Sequence, residues 1–244
     1  MIEFQGLAKH YGDFPAVQPL TLNVGRGEVF GFLGPNGAGK TTTIRMMMGI
    51  LVPSAGRVLV DGLDCQADAA QVKRHVGYLP DNPIFYDFLR GREILQFVAE
   101  MHGMPRQDAV ARAAQLLHEF ALQDVSEEFA VNYSMGMKKK LGLACALVHD
   151  PAVLILDEPI NGLDPRAARE VQDRLIASAA AGKTIFVSTH LLDMAQRMCN
   201  RVGIINRGAV VATGTLAELR GASSDNSTLE ELFLKFTDED SLAA

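Results

Sequence analysis

Apolar and polar positions alternate through the first sixty residues, the signature of half-buried strands. Ile2 and Phe4 mark one segment, Leu20, Leu22 and Val24 another, and Val58 with Val60 a third. Between the second and third, 28–33 is a short apolar run suited to a buried strand. Turn signals at Gly25-Arg26-Gly27 and Pro53-Ser54-Ala55-Gly56 separate these runs. From about Asn82 the period lengthens to that of a helix. In 92–102, Ile94, Leu95, Val98 and Met101 share one face, and Gly103 stands where a helix ends. A second stripe in 107–120 carries Val110, Ala113, Ala114, Leu117 and Phe120, and a third helix is predicted over 137–148.

After Pro151 strands and helices alternate again. The segments 153–156, 184–187 and 202–205 read as strands, and 165–180 and 191–198 as helices. The simplest arrangement is an α/β core interrupted by a helical block near 82–148. The small, polar stretch 221–227 reads as a linker. Ser227-Thr228-Leu229-Glu230 then forms a capping box, and Leu229, Leu232, Phe233 and Phe236 follow at helical spacing. Such a helix either docks on its own domain or meets a partner.

With 244 residues the chain is long enough for one large or two modest cores. Its net charge of −6 disfavours nucleic acid as a partner. Cys65, Cys145 and Cys199 are odd in number and form no Cys-x-x-Cys pair, so they read as thiols in a reducing compartment. The start, Met1-Ile2-Glu3-Phe4-Gln5, has no signal-peptide character, and the apolar stretch 141–148 is far short of the ~20 residues a membrane span needs. These features predict a soluble, cytoplasmic polypeptide.

Candidate chemistry concentrates in three places. Residues 34–41 read GPNGAGKT, a complete G-x-x-x-x-G-K-[ST] phosphate loop between the apolar run 28–33 and a helix-like segment ending at Gly49. Glycines at 34, 37 and 39 let several N–H groups converge on phosphate oxygens, and the following helix aims its positive dipole end at them. Lys40 can reach the terminal phosphates and Thr41 can ligate Mg²⁺, so the loop implies a nucleoside triphosphate. The second place is the apolar run 153–156, which ends in Asp157 and Glu158, as at the carboxyl edge of a buried parallel strand. Asp157 is placed to hold Mg²⁺ and Glu158 to orient and deprotonate a water. The third is Ser188-Thr189-His190, after another apolar run, where a histidine can contact a γ-phosphate. The remaining histidines (10, 75, 102, 118 and 149) show no metal-ligand spacing.

Taken in order, these motifs resemble the nucleotide-binding subunit of an ABC transporter, and the resemblance covers about 1–220. Tyr11 matches the aromatic residue that stacks on adenine in that family, with packing against its own domain as the other reading of its ring. Residues 34–42, including Asn36 and Thr42, match the Walker A loop. Residues 154–158 match Walker B, Asn161-Gly162-Leu163-Asp164 the D-loop, and His190 the switch histidine. The resemblance implies a P-loop NTPase core with an N-terminal antiparallel β subdomain and an inserted α-helical subdomain. Its expected boundaries are 1–81 and 149–220 for the core, 82–148 for the insert, and 221–244 for a C-terminal linker and amphipathic helix.

Two elements depart from the common pattern. The signature loop reads Tyr133-Ser134-Met135-Gly136-Met137, keeping Ser134 and Gly136 as donors to a γ-phosphate. Lys138, Lys139 and Lys140 follow in the first helical turn, where cations oppose the dipole. They read either as attracted to nucleotide or another subunit, or as solvent-exposed. In the Q-loop, Asp81 stands where the family has glutamine. That position contacts Mg²⁺, and a carboxylate there adds negative charge beside the phosphates. Both departures resemble ABC-2-type export ATPases.

The resemblance further implies a head-to-tail dimer, with itself or a paralogous ABC ATPase, enclosing two ATP molecules. Ser134 and Gly136 of one chain would then complete the site of the other. A separate multi-spanning permease is the implied partner, gripping the surface near 81–90 and holding this subunit on the inner face of the cell membrane. The rival reading is a soluble ABC ATPase acting on a ribosome, nucleic acid or protein assembly. Against it stand the single phosphate loop, the acidic charge, and an interval 42–133 with no room for a long coiled coil.

Overall fold

The computed structural model describes residues 1–221 and 229–237. In chain order the strands are β1 (Ile2–Tyr11), β2 (Phe14–Val24), β3 (Val29–Leu33), β4 (Ala55–Val60), β5 (Leu63–Asp64), β6 (Val76–Leu79), β7 (Val153–Asp157), β8 (Thr184–Thr189), β9 (Arg201–Asn206) and β10 (Ala209–Gly214). The α-helices are α1 (Lys40–Met47), α2 (Ala69–His75), α3 (Gly91–Met101), α4 (Arg106–Glu119), α5 (Met135–Leu147), α6 (Pro165–Ala180), α7 (Leu192–Met198), α8 (Leu216–Gly221) and α9 (Leu229–Thr237).

The strands form two sheets. One pairs antiparallel in the order β2-β1-β4-β5, and the other runs β10-β9-β3-β8-β7-β6, parallel except for the β9–β10 hairpin. Strands β3, β7 and β8 are buried at every position, which explains their continuous apolar runs. Phe186 on β8 joins the sheets: its ring centroid lies 5.9 Å from Phe4 on β1 and 5.4 Å from Phe32 on β3. This is the α/β architecture the sequence predicts, with a helical insertion.

In the insertion, α3, α4 and α5 bury Ile94, Leu95, Leu116, Leu117, Leu141 and Leu143 in one cluster. Its first helix begins only at Gly91, so the block is entered through an irregular stretch, 80–90. Helix α5 starts two residues earlier than its apolar periodicity suggests, because the Ser134 hydroxyl accepts the Met137 N–H at 3.2 Å and caps it. Helix α9 docks on its own domain. Leu229 and Leu232 are buried with Leu33, Val202 and Leu219, and the Asn206 amide donates to the Thr237 carbonyl at 3.3 Å. The expected linker 221–227 begins at Gly221, which instead ends α8; the rest of it and the Ser227 cap lie outside the described residues. Among the described residues, no helix is long and apolar enough to cross a membrane.

The strand order β3-β8-β7 matters most for the site. Leu33 is registered with Thr189, and Asp157 with Ser188. The chain segments leaving the carboxyl ends of all three strands therefore emerge side by side, which is where open parallel sheets present ligand sites.

Candidate active site

The loop after β3 turns back over the sheet edge and feeds α1. Gly39 caps that helix with φ 108°, and a Cβ there would lie 2.6 Å from the Ala16 carbonyl oxygen, so only glycine fits. Lys40, the first helical residue, is 6% exposed. Its ammonium donates to the carbonyls of Gly34 at 2.7 Å and Pro35 at 3.2 Å, and stands 3.5 Å from Glu158 Oε1. The cation is thus held over the mouth of the loop.

Asp157 ends β7 almost fully buried. Its Oδ2 accepts from Thr41 Oγ1 at 2.8 Å, and its Oδ1 accepts from the hydroxyl of Ser188, its register partner on β8. Burial raises the Asp157 carboxyl above its ordinary value, and the bonds from Ser188 and Thr41 act in the opposite direction. A buried carboxylate beside a threonine hydroxyl is a pair of hard oxygen donors that a cation would stabilise.

Glu158 leaves the strand in the left-handed region, φ 48°, an uncommon backbone for a side chain of its size. Its N–H donates to the Ser188 carbonyl at 3.1 Å, and its carbonyl accepts from the Asn161 N–H at 3.3 Å. Oε1 lies 3.0 Å from His190 Nδ1, whereas the buried Oε2 has no hydrogen-bond partner among the described residues. The turn after Glu158 ends at Asp164, whose carboxylate accepts from the Arg166 and Ala167 N–H groups and caps α6.

Lys40, Thr41 and Glu158 share a groove of about 250 Å³ also lined by Tyr11, Asn36, Gly37, Gly39, Thr42 and Asp81. Asp157 reaches it only through Thr41, and His190, in contact with Glu158, lines a neighbouring hollow with Ile160 and Leu191. The Tyr11 ring is half exposed, with the Lys9 ammonium 5.3 Å from its centroid. Asp81 reaches the groove from the segment after β6. Its Oδ2 accepts from the Asn82 amide at 3.1 Å, and its Oδ1 lies 3.7 Å from the Lys139 ammonium. Gly34 is packed beneath, where a Cβ would meet the Ile205 carbonyl oxygen at 2.4 Å. Ser134 and Gly136 do not line this groove. They open α5, and Gly136 lies against the D-loop of the same chain, where a Cβ would be 3.3 Å from the Gly162 carbonyl oxygen.

Four residues of the site escape the sequence reading. Phe14 and Ala16 also line the groove, and Ser188 holds Asp157. The fourth is Lys139, for which both readings of the lysine run are corrected. It is 2% exposed, and its ammonium is taken up inside its own chain by the carbonyls of Asp81 and Glu158, the latter at 2.9 Å. Lys138 and Lys140 remain partly exposed. Helical spacing from the Ser134 cap places Lys139 on the face shared with Gly142 and Leu143 that turns inward, and that was the available signal.

The ABC transporter family matches residues 17–161. The chain belongs to that family. It is 40% identical over 219 residues to the "Daunorubicin resistance ATP-binding protein DrrA3" of Streptomyces coeruleorubidus, covering 90% of this chain and 69% of that protein. It is 35% identical over 239 residues to the "Probable multidrug ABC transporter ATP-binding protein YbhF" of Escherichia coli K12, covering 96% of this chain but only 41% of that protein. A solved "ATP binding subunit of ABC transporter" superposes with a TM-score of 0.91 at 33% identity, over 98% of this chain and all of that one. The fold is that of the ABC transporter family's ATP-binding subunits, and the groove at the β3, β7 and β8 edge is where the phosphate loop comes up beside Asp157 and Glu158.

Proposed function

We propose that this ABC ATPase binds Mg-ATP in the groove and that hydrolysis energises export through a separate membrane-spanning permease. The observation that carries the reading is the convergence of Lys40, Thr41, Asp157, Glu158 and His190 in one site. Relatives named for daunorubicin resistance and for Nod factor export support the direction of transport.

In this reading the N–H groups of 36–41 and the amino end of α1 receive the phosphates, and Lys40 exchanges its loop carbonyls for terminal phosphate oxygens. Thr41 and Asp157 fit Mg²⁺ by their paired hard oxygens, with Asp81 as a further candidate ligand at the groove wall. When bound, Mg²⁺ neutralises charge on the phosphate oxygens and fixes their orientation. Glu158 accepts the proton of the attacking water, and His190 holds that carboxylate through Oε1 while facing the γ-phosphate. The water oxygen bonds to the γ-phosphorus as its bond to the bridging oxygen breaks, releasing ADP and inorganic phosphate. Tyr11 stacks on the adenine. Ser134 and Gly136 act on the nucleotide of a dimer partner, a second copy or a paralogous ABC ATPase, so ATP joins the subunits and hydrolysis loosens them. The expected extents, a core of 1–81 and 149–220 around an insert of 82–148, with 221–244 as a C-terminal appendage, belong to this proposal.

The docking surface proposed for the permease lies beside the Q-loop. Phe88, 82% exposed, lines an apolar hollow with Phe85, Tyr86, Leu89 and Phe97, and Ile84, 92% exposed, lies in the same segment. Bound there, the subunit would sit on the inner face of the membrane. The test is affinity capture of the Glu158→Gln variant from native membranes in mild detergent with Mg-ATP. Recovery of a stoichiometric multi-spanning protein supports the proposal, and recovery of only ribosomes, nucleic acid or soluble proteins overturns it.

A further inference from the structure

Lys139 is the one fully buried side chain of the lysine run, and its surroundings give that burial a purpose. It projects from the second turn of α5 and reaches two segments that both line the nucleotide groove. One is the stretch after β6, through the Asp81 carbonyl and carboxylate, and the other is the turn after β7, through the Glu158 carbonyl at 2.9 Å. The same Glu158 carbonyl accepts the Asn161 N–H, so the oxygen that fixes this residue's left-handed turn receives two donors. Two of the ammonium's three N–H groups are thereby paired, and the Asp81 carboxylate faces it at 3.7 Å, the kind of compensation a buried cation requires.

A neutral side chain would cover that volume with less desolvation, so packing alone does not account for a charge here. What accounts for it is Asp81. Asp81 places a carboxylate on the groove wall, and the Lys139 ammonium 3.7 Å from it offsets the field it would send toward the phosphates.

We propose that Lys139 is a positioning residue of the ATPase. It acts with Asp81 as one unit, fixing the backbone turn that aims Glu158 into the groove and neutralising the acidic loop residue beside the phosphate site. The proposal rests on the reading of Glu158 as the group that accepts the water's proton. It also gives α5, which begins at the signature loop, a direct hydrogen-bonded route to the site in its own chain.

Three variants of the whole protein test it: Lys139→Met, Asp81→Asn, and the two combined, with Glu158→Gln measured in parallel. Mg-ATP affinity is read by equilibrium titration and turnover by phosphate release. Lys139→Met is expected to lower kcat by about tenfold or more, as loss of a supporting shell does, while the Kd for Mg-ATP moves less than about threefold. Adding Asp81→Asn to Lys139→Met removes the uncompensated carboxylate and is expected to raise kcat about threefold above the single variant, a rescue that a packing role does not produce. If Lys139→Met yields no folded protein, Lys139→Gln, which keeps a donor at the position, carries the same comparison. A kcat within twofold of the parent, a loss confined to Kd, or a double variant no faster than the single one overturns the proposal. Near-normal turnover in Glu158→Gln overturns the catalytic reading as well, so the two failures are distinguishable.

Discussion

His190 Nδ1 lies 3.0 Å from Glu158 Oε1, across the gap between the carboxyl ends of β8 and β7. The contact occupies one carboxylate oxygen and leaves Oε2 buried and, among the described residues, without a hydrogen-bond partner. If Glu158 takes the water's proton, Glu158→Gln keeps the shape and the contact to His190 but loses the base. The expected variant binds ATP, forms the ATP-dependent dimer and hydrolyses about a hundredfold more slowly or worse. Phosphate release together with gel filtration in ATP checks both halves. Turnover near the parent rate removes Glu158 from its role.

Thr41 and Asp157 supply the proposed Mg²⁺ oxygens, and the 2.8 Å bond between them makes a separable prediction. Thr41→Val preserves the size of the side chain and deletes only the hydroxyl. Half-maximal activation by Mg²⁺ is expected to move to about tenfold higher concentration, with affinity for metal-free ATP little changed. Titrating activity against Mg²⁺ at fixed ATP reads the shift. An unaltered metal dependence would take Thr41 out of the coordination sphere.

The parts of this molecule that were legible from its sequence are those whose burial is uniform. Strands β3, β7 and β8 are enclosed on both faces, so their residues read as unbroken apolar runs, and Gly39-Lys40-Thr41 follows the first of them in a pattern tied to phosphate chemistry. Elements held by neighbours rather than by pattern were silent. Helix α2 buries only Val72, β6 is four residues long, and β10 is joined to β9 through Arg207 and Gly208, both with positive φ, a turn lacking the usual Asn-Gly signal. Ser188 is named in the sequence only as part of the run before His190, and its role of holding Asp157 stays hidden because only the register of β8 against β7 brings the two together. Lys139 was misread for a related reason: a charge next to two others looks solvated until the loop and turn that bury it are known.

The contact of Phe186 with Phe4, Phe30 and Phe32 predicts where stability is concentrated. All four rings are essentially inaccessible, and Phe186 bridges the antiparallel and parallel sheets. Phe186→Ala removes a buried aromatic at that junction and is expected to cost about 3–5 kcal/mol in unfolding free energy. Phe186→Leu is expected to cost markedly less, since it refills part of the space. Urea unfolding of the two variants measures the difference, and equal, small losses would mean the sheets are held together elsewhere.

His102 and His149 stack face to face, ring centroids 3.6 Å apart and planes 6° from parallel, at the packing of α3 against the end of α5. Burial pushes the His149 imidazole down from 6.5 to about 4, with the neighbouring His102 acting in the same direction, and burial lowers His102 too. The His149 ring is therefore held neutral in the fold down to about pH 4, while in the unfolded chain it takes up a proton near the ordinary histidine value. Between about pH 6.5 and 4 the unfolded state binds more protons, so stability rises with pH across that window and falls as the solution is acidified. The contribution is intact above pH 6.5 and is lost progressively toward pH 4. His149→Phe keeps a flat ring against His102 and removes the titration. Thermal midpoints measured across this range should fall less steeply with acid in the variant than in the parent. Parallel curves would show that the stacked pair does not govern acid sensitivity.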